Sequence, residues 1–138
     1  MFRLSIVTPE QVEYDGEVRS LMAPGSDGYV GILSHHAPLI TALRPGKIEF
    51  HDQQDKVHVL AVSNGFLEVS NNIATILADA VEDADEIDIE RARAAYDREK
   101  TRLVNFEKGE TGIDLPSCRQ AIDRAANRIR IYNETHRK

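Results

Sequence analysis

The sequence predicts an α+β, mainly β, protein in which an N-terminal antiparallel β-sandwich is followed by a C-terminal antiparallel two-helix hairpin. Before about residue 80, apolar residues alternate with polar ones in short runs separated by turn-forming residues, which is typical of strands. From Ile87 to Glu107 there is no Gly or Pro, and apolar residues recur every three or four positions, as in helices. We therefore divide the chain into a sandwich domain, residues 1–84, and a hairpin domain, residues 85–138.

The strand pattern is clearest at the amino end, where Phe2, Leu4 and Ile6 alternate with other residues before Pro9 ends the run. Comparable runs centre on residues 48–50, 57–61 and 73–77, and turn signals separate them. Both faces of several runs are apolar, which favours two sheets packed face to face. The turn signals are Gly25–Gly28, Pro45-Gly46, Asp52–Asp55, Asn64-Gly65 and Asn71-Asn72.

Phe66 and Leu67 occupy successive positions of one such run. Successive side chains of a strand point to opposite faces of the sheet. We therefore expect one of these two residues to lie in the core of the sandwich.

Capping residues predict where the two helices begin. Asp85 is the expected N-cap of the first helix, with Asp88 and Glu90 in its first turn, where the helix dipole favours carboxylates. Asp114 can cap the second helix, with Pro116 in its first turn. The short glycine-containing link between the helices implies an antiparallel hairpin.

Each helix carries a stripe through which it is expected to face the other, and we call the two stripes together the seam. The hairpin is rich in alanine, which buries little apolar surface, so it is expected to be marginally stable alone. These alanines are Ala92, Ala94, Ala95, Ala121, Ala125 and Ala126. The seam is Ala92, Tyr96, Glu99, Leu103 and Phe106 in the first helix, and Leu115, Cys118, Ile122, Ala125, Ile129 and Tyr132 in the second.

Composition excludes several classes of protein. With 41% hydrophobic and 29% charged residues, the chain is neither a disordered tail nor a membrane span, and its first residues do not resemble a secretory signal. A single cysteine, Cys118, excludes an internal disulfide framework and any cysteine-rich zinc site, and on the seam it is expected to be a small buried hydrophobe. The net charge of −6 disfavours nucleic acid as a partner.

The charge is divided unevenly along the chain. Residues 1–86 contain five Lys and Arg against fourteen Asp and Glu, whereas residues 87–138 contain twelve against nine. The acidic first part and the basic second part are expected to have different partners.

Histidine is the residue type that would build a metal or hydrolytic site in the first part. Such a site needs three converging ligands. His51 and His58 flank a predicted hairpin turn and are expected to face solvent, while His35 and His36 are assigned to a surface loop. We therefore expect no catalytic residue and no metal site.

Arginine spacing indicates a candidate anion site on the hairpin. Arg91 and Arg98 are seven residues apart and Arg124 and Arg128 are four apart, so each pair shares one helix face. In an antiparallel hairpin the two pairs can lie on one side, where a polyphosphate would neutralise them. The alternative is solvation or salt bridging to nearby aspartates. Those aspartates are Asp88, Asp97 and Asp123.

Three motifs, in order, resemble a known family. Residues 28–39 are GYVGILSHHAPL, residues 64–69 are NGFLEV, and residues 87–92 are IDIERA. Together they resemble the epsilon subunit of bacterial F-type ATP synthase, and the resemblance covers the chain from end to end. The chain departs from the family's pattern where Ser34-His35 replaces Pro-Gly, and where Tyr29 replaces a frequent carboxylate.

The resemblance implies a non-catalytic subunit on the central rotor stalk of a proton-translocating ATP synthase. Family members bind the gamma subunit and the ring of c subunits, and they couple ring rotation to the catalytic head. The hairpin folds down beside the sandwich or extends along gamma to the catalytic beta subunits, where it inhibits ATP hydrolysis. The implied location is peripheral, through the complex, on the cytoplasmic face of the bacterial inner membrane.

The resemblance also implies specific site residues. ATP would be a regulatory ligand rather than a cofactor, and no other cofactor is implied. The edge facing the c-ring would include Tyr29, His36, Ala37 and Pro38. The residues implied for nucleotide binding are Glu82, Ile87, Asp88, Arg91, Ala92, Arg98, Arg124 and Arg128.

Two other functions are weighed against this one. The first is a free-standing soluble ATP-sensing module built on the same hairpin, which would form no stable complex with gamma. The second is a small hydrolase built on the histidines, which would contain metal by elemental analysis.

Overall fold

A computed structural model describes residues 1–136 of the chain. Contacts within the chain divide it into two compact units, of which the first ends at Asp83 and the second begins at Ala84. The first unit contains β1 (Phe2–Val7), β2 (Val12–Gly25), β3 (Gly28–Ile32), β4 (Leu39–Leu43), β5 (Gly46–Asp52), β6 (Val57–Val62), β7 (Gly65–Ser70), β8 (Ile73–Ala78) and β9 (Val81–Asp83). The second contains a 3-10 turn (Ala84–Glu86), α1 (Ile89–Glu107) and α2 (Leu115–Thr135).

The long strand β2 joins the two layers of the sandwich. Its first half pairs with β1, and that layer continues through β8 and β7 to β4. Its second half pairs with β3 on one side and β5 on the other, and that layer continues through β6 to β9. The β2–β5 register shifts between Val18 and Ser20, where β2 leaves one layer for the other. The pairs are antiparallel except β1 and β8, which run parallel.

Alternating residues of each strand form the core between the layers. Phe2, Leu4 and Ile6 are at most 1% exposed, as their spacing predicts. In β7, Leu67 is fully buried while Phe66 is 58% exposed, which confirms that one of the two is core. On the opposite face of β7 and β8, apolar side chains remain exposed, with Leu77 at 55%.

Asp52 organises the turn between β5 and β6. Its carboxylate accepts backbone N–H groups of Gln54 and Lys56, each at 2.9 Å, and is hydrogen-bonded to Nε2 of His58 at 2.9 Å. The His58 ring stacks on Phe50 with centroids 4.5 Å apart. The expectation that His58 faces solvent is therefore wrong, because His58 is paired across the strands with the buried Phe50 and takes the same side of the sheet.

The first helix begins later than the sequence suggests. Asp85 lies in the 3-10 turn rather than at the N-cap, and Ile87 is buried. Asp88 is the N-cap, and its carboxylate accepts the backbone N–H of Arg91 at 3.1 Å. Asp114 occupies the N-cap position of α2, as predicted, but its side chain makes no capping hydrogen bond.

Cys118 and Glu99 set the register of the hairpin. Cys118 Sγ donates to the Glu99 carbonyl oxygen at 3.2 Å, so these residues lie at the same level. Seven residues away on each helix, Ala92 and Ala125 form a second buried level. Cys118 is 1% exposed, as predicted, and burial raises the pKa of its thiol.

Truncation of Leu67 and of Phe66 will have unequal effects. We expect Leu67→Ala to lower the free energy of unfolding by about 2–5 kcal/mol, because it leaves a cavity in the core. Phe66→Ala, on the exposed face of the same strand, serves as the matched control and should change it by less than about 1 kcal/mol. Urea denaturation measures both. Equal losses would contradict the assigned strand orientation.

Asp52 should make folding stability depend on pH. The hydrogen bond from His58 and those from the backbone hold the pKa of Asp52 below its ordinary value in the folded chain. A depressed folded pKa contributes stability above the unfolded pKa, and that stability is lost as the pH falls through the folded value. Asp52→Asn should therefore destabilise the chain at pH 7, and the difference from wild type should shrink below about pH 4.

The control for this measurement is Asp55→Asn. The Asp55 side chain is 74% exposed and lies 3.3 Å from Nδ1 of His51. Asp55→Asn should therefore lower thermal stability less than Asp52→Asn does. Thermal unfolding of the three proteins from pH 3 to pH 7 is the measurement. A difference between wild type and Asp52→Asn that does not change with pH would contradict the assignment.

Candidate functional site

The hairpin gathers arginines on one side. Arg91 and Arg98 of α1 and Arg124 of α2 each directly precede a buried residue of the seam. One residue before the seam means a rotation of about 100° from it. On antiparallel helices that face each other, the same rotation leads to the same side. We call this side, which also includes Arg128, the arginine side; its four predicted members are Arg91, Arg98, Arg124 and Arg128.

The register places these residues along the hairpin axis. Arg91 and Arg124 flank the level of Ala92 and Ala125, so they are close in height. Arg98 lies seven residues along α1 from Arg91, or roughly 10 Å at 1.5 Å per residue. The arginine side is therefore an elongated strip of positive charge rather than a compact cluster.

The electrostatics of the strip suit an anion. Among residues 1–136, the guanidinium groups of Arg91 and Arg124 make no ion pair. Arg98 is 65% exposed, and its Nε lies 3.7 Å from a carboxylate oxygen of Glu99. Asp88 does not bridge to the Arg91 guanidinium, because its carboxylate caps the helix at the backbone N–H. The strip can offer several charge-assisted donors to phosphate oxygens.

The other residues implied for nucleotide binding differ in position and exposure. Ile87 and Ala92 are buried, at 5% and 0% exposure, so their side chains are not accessible to a ligand in solvent. Asp88 is exposed at the start of α1. Glu82 belongs to the first unit, where β9 pairs with β6 and Glu82 is half-buried opposite Ala61.

The residues implied for the ring contact bracket one open strand edge. Within the described part of the chain, β3 pairs with β2 alone. Tyr29, near the start of β3, is 47% exposed, and its hydroxyl accepts the backbone N–H of Lys47 at 3.0 Å. His36, Ala37 and Pro38 follow the end of the strand. Tyr29 and His36 are seven positions apart along the chain, so their Cα atoms can be at most about 25 Å apart.

An exposed apolar surface is the feature that the sequence reasoning missed. Ala42, Phe66, Leu77 and Val7 are cross-strand neighbours in one row over β4, β7, β8 and β1. We call them the outer apolar row. They line a groove of about 590 Å³ that also includes Pro9. Contiguous exposed apolar surface of this kind marks interaction sites.

The signal for this row was present in the sequence. Phe66 and Leu77 alternate with core residues, and β8 has apolar residues on both faces. Only the folded topology shows that this face of the sheet is not covered by another layer, so that Phe66 is 58% exposed.

A second groove lies on the opposite side of the hairpin from the arginines. It has a volume of about 530 Å³ and opens over Ala126, between Tyr96 and Arg130. No group of three His, Cys, Asp or Glu side chains among residues 1–136 is placed to hold a metal ion. Neither helix of the described chain is long and apolar enough to cross a membrane.

Comparison with known families covers both units. Residues 1–84 match the beta-sandwich domain of the ATP synthase delta/epsilon chain, and residues 85–133 match its long alpha-helix domain. The chain belongs to the ATP synthase delta/epsilon family. The resemblance inferred from the three motifs is therefore confirmed, as is the predicted fold class.

Relatives in the delta/epsilon family match over most of their length. The ATP synthase epsilon chain of Desulforamulus reducens is 47% identical over 128 residues, which is 93% of this chain and 94% of the relative. The epsilon chain of Protochlamydia amoebophila is 40% identical over 136 residues, covering 99% and 90%.

Solved structures share the fold at low sequence identity. A chain in the cryo-EM structure of the Euglena gracilis mitochondrial ATP synthase, OSCP/F1/c-ring, matches with a TM-score of 0.75 and 18% identity, covering 90% of this chain and 76% of that one. A chain of the Tetrahymena thermophila mitochondrial ATP synthase central stalk and c-ring matches with a TM-score of 0.58 and 15% identity, covering 96% and 94%.

The chain's departure from the epsilon motif at Ser34-His35 has a structural consequence. His35 takes the position of the family's glycine and adopts a φ of 62°, in the left-handed region that favours glycine. Its backbone N–H donates to Asn72 Oδ1 at 2.7 Å, and Asn72 Nδ2 donates to the Met1 carbonyl oxygen at 3.0 Å. The segment before His36 is thereby tied to the β7–β8 turn.

Proposed function

We propose that this chain is the epsilon subunit of a proton-translocating F-type ATP synthase. In this role it is a central-stalk subunit that couples ring rotation to the catalytic head, and it performs no reaction itself. The observation that carries the proposal is the match of both units, in order, to the delta/epsilon family. Association with the cytoplasmic face of the bacterial inner membrane would then be peripheral, through the complex.

The sandwich would supply two partner surfaces. The outer apolar row, with Phe66 at its centre, is the proposed gamma contact, since apolar surface is stabilised when a partner covers it. The β3 edge is the proposed c-ring contact, through Tyr29, His36, Ala37 and Pro38. Tyr29 offers an aromatic ring and a hydroxyl there rather than a charge.

The hairpin would supply regulation. In the folded hairpin, ATP would bind the arginine side and join α1 to α2 through its phosphates. When ATP is scarce, the helices would separate and extend along gamma toward the catalytic beta subunits, where they inhibit ATP hydrolysis. The buried pair Ala92 and Ala125 supports this proposal. Alanines bury little apolar area, so separating the two helices costs little free energy.

The energetics are sufficient for such a switch. ATP shifts the equilibrium only through its preference for the folded hairpin. At 100 times its dissociation constant, a ligand that binds one state alone stabilises it by about 2.7 kcal/mol. That amount inverts an equilibrium that starts within roughly 2 kcal/mol of balance.

A free-standing ATP sensor is the second candidate. It is favoured by the location of the arginine side, which lies wholly within the hairpin and needs no partner chain. The outer apolar row favours the stalk subunit instead, because a free-standing protein would leave Phe66 and Leu77 exposed. Size-exclusion chromatography with gamma separates the two candidates.

Phe66→Asp should prevent assembly with gamma. A charge in the middle of the outer apolar row would have to be desolvated in the complex, so we expect affinity to fall at least about tenfold. Val57→Asp is the matched control, since Val57 is a 46% exposed strand residue in the other layer. Co-elution with gamma is measured for both. Equal binding of gamma by wild type and Phe66→Asp would place the contact on another face.

Arg124→Ala should weaken ATP binding. Loss of a charge-assisted phosphate contact is expected to lower affinity about tenfold or more. Arg119→Ala is the matched control, because Arg119 follows the seam residue Cys118 and points to the opposite side of the hairpin. Calorimetry and the ATP-dependent rise in melting temperature measure binding to the full chain. A wild type without either signal at millimolar ATP would contradict nucleotide regulation while leaving the stalk role intact.

A further inference from the structure

Glu99 is a carboxylate within a seam of small and apolar residues. The residue is 6% exposed, and its backbone carbonyl accepts the Cys118 thiol at the level that sets the register. Its two carboxylate oxygens lie 3.3 and 3.2 Å from Nη1 of Arg102. Nε of Arg98 is 3.7 Å from Oε1 of Glu99, the oxygen that lies 3.3 Å from Arg102. A buried carboxylate requires such partners, because it has lost the water that would otherwise solvate it.

Both partners of this carboxylate lie on the arginine side. Arg102 is four residues beyond Arg98, so the two share a helix face. Arg102 is 46% exposed and Arg98 is 65% exposed, so their guanidinium groups remain accessible from solvent while Glu99 holds them from within the seam. Arg102 therefore extends the strip of positive charge at the end where Arg98 lies.

We propose that Glu99 is an internal counter-ion that competes with a bound polyphosphate for Arg98 and Arg102. This inference rests on the proposed nucleotide function of the arginine side. In the empty hairpin, Glu99 neutralises part of the strip. When a triphosphate chain binds Arg98, Glu99 keeps only Arg102 as a counter-ion. The negative charge of the triphosphate then also lies close to the Glu99 carboxylate. Both effects raise the polyphosphate concentration at which the site fills.

The test removes the charge of Glu99 and keeps its shape. Inorganic tripolyphosphate and ATP are titrated by calorimetry into the wild-type chain and the Glu99→Gln variant at 0.15 M salt, where the charges of distant surface groups are largely screened. We expect Glu99→Gln to bind both ligands about fivefold more tightly, the scale of one partly exposed ion pair.

Two further variants complete the experiment. Asp97→Asn is the matched control, because Asp97 is an exposed carboxylate on α1 that points away from the arginine side, and it should leave affinity within about twofold. Glu99→Ala is the second test variant, since the seam residue seven positions earlier on α1, Ala92, is already an alanine. Far-UV circular dichroism establishes that each variant keeps its helices, and a variant that loses them is replaced by the other.

The outcomes separate this inference from the proposed function. Tighter binding by Glu99→Gln or Glu99→Ala, with Asp97→Asn unchanged, supports the inference. Binding by these variants but not by wild type supports it too, and overturns the ATP switch in the natural chain. Unchanged or weaker binding in a wild type that binds ATP overturns the inference and leaves the switch intact. No binding by any variant overturns both.

Discussion

The close approach of α1 and α2 is the constraint on which the candidate nucleotide site depends. The thiol of Cys118 bonds the Glu99 carbonyl, and seven residues away Ala92 meets the level of Ala125. Because Cys118, Ala92 and Ala125 are small, the helices can approach each other closely, and the residues that precede the seam residues flank the interface. Arginines at three of those preceding positions therefore converge on one side, although they come from two helices. A shift of the register by one residue would rotate one set away from the other.

The sandwich depends on a different constraint, which is the double role of β2. Because one strand serves both layers, β3 is left with an unpaired edge and β4 meets β2 only at Gly25. Exposed edges invite pairing with other chains unless they are covered or kept short. Here the edge strand has five residues and is followed by a segment that His35 and Asn72 tie to the β7–β8 turn. The arrangement offers a short, well-fixed edge to a partner.

Local pattern was enough to predict β1, β5, β6, β7, β8, both helices and much of the core, but not β2, β3, β4 or β9. Period-two alternation identified Leu4 and predicted that either Phe66 or Leu67 is buried, and helical spacing placed Cys118 and Ala125 on the seam. Features that depend on tertiary context were missed. Asp85 and Asp88 are equally good caps in sequence, and the 3-10 turn with the buried Ile87 decides for Asp88. His58 reads as a surface residue until its pairing opposite Phe50 is known.

The candidate sites also divide into those that local sequence pattern predicts and those that depend on tertiary context. The arginine side follows from spacing plus an antiparallel hairpin, so the sequence could predict it. The outer apolar row could not be told from core, because alternation gives the same pattern whether a face is covered by a second sheet or left exposed. The role of Glu99 was also hidden, since a glutamate on a helical stripe gives no sign of whether it is buried or which cations it meets.

The seam stabilises the hairpin weakly, and the arginine side destabilises it. Alanine levels contribute little apolar burial, and the arginines of the strip repel one another across the interface, so neither favours a very stable hairpin. Glu99 offsets part of that repulsion from within by neutralising Arg98 and Arg102. The balance between packing, repulsion and this internal carboxylate sets how much an external anion can add. A stronger leucine seam would hold the helices together without ligand and would remove any dependence on it. A hairpin whose stability lies within a few kcal/mol of zero is the kind that ligand binding can control.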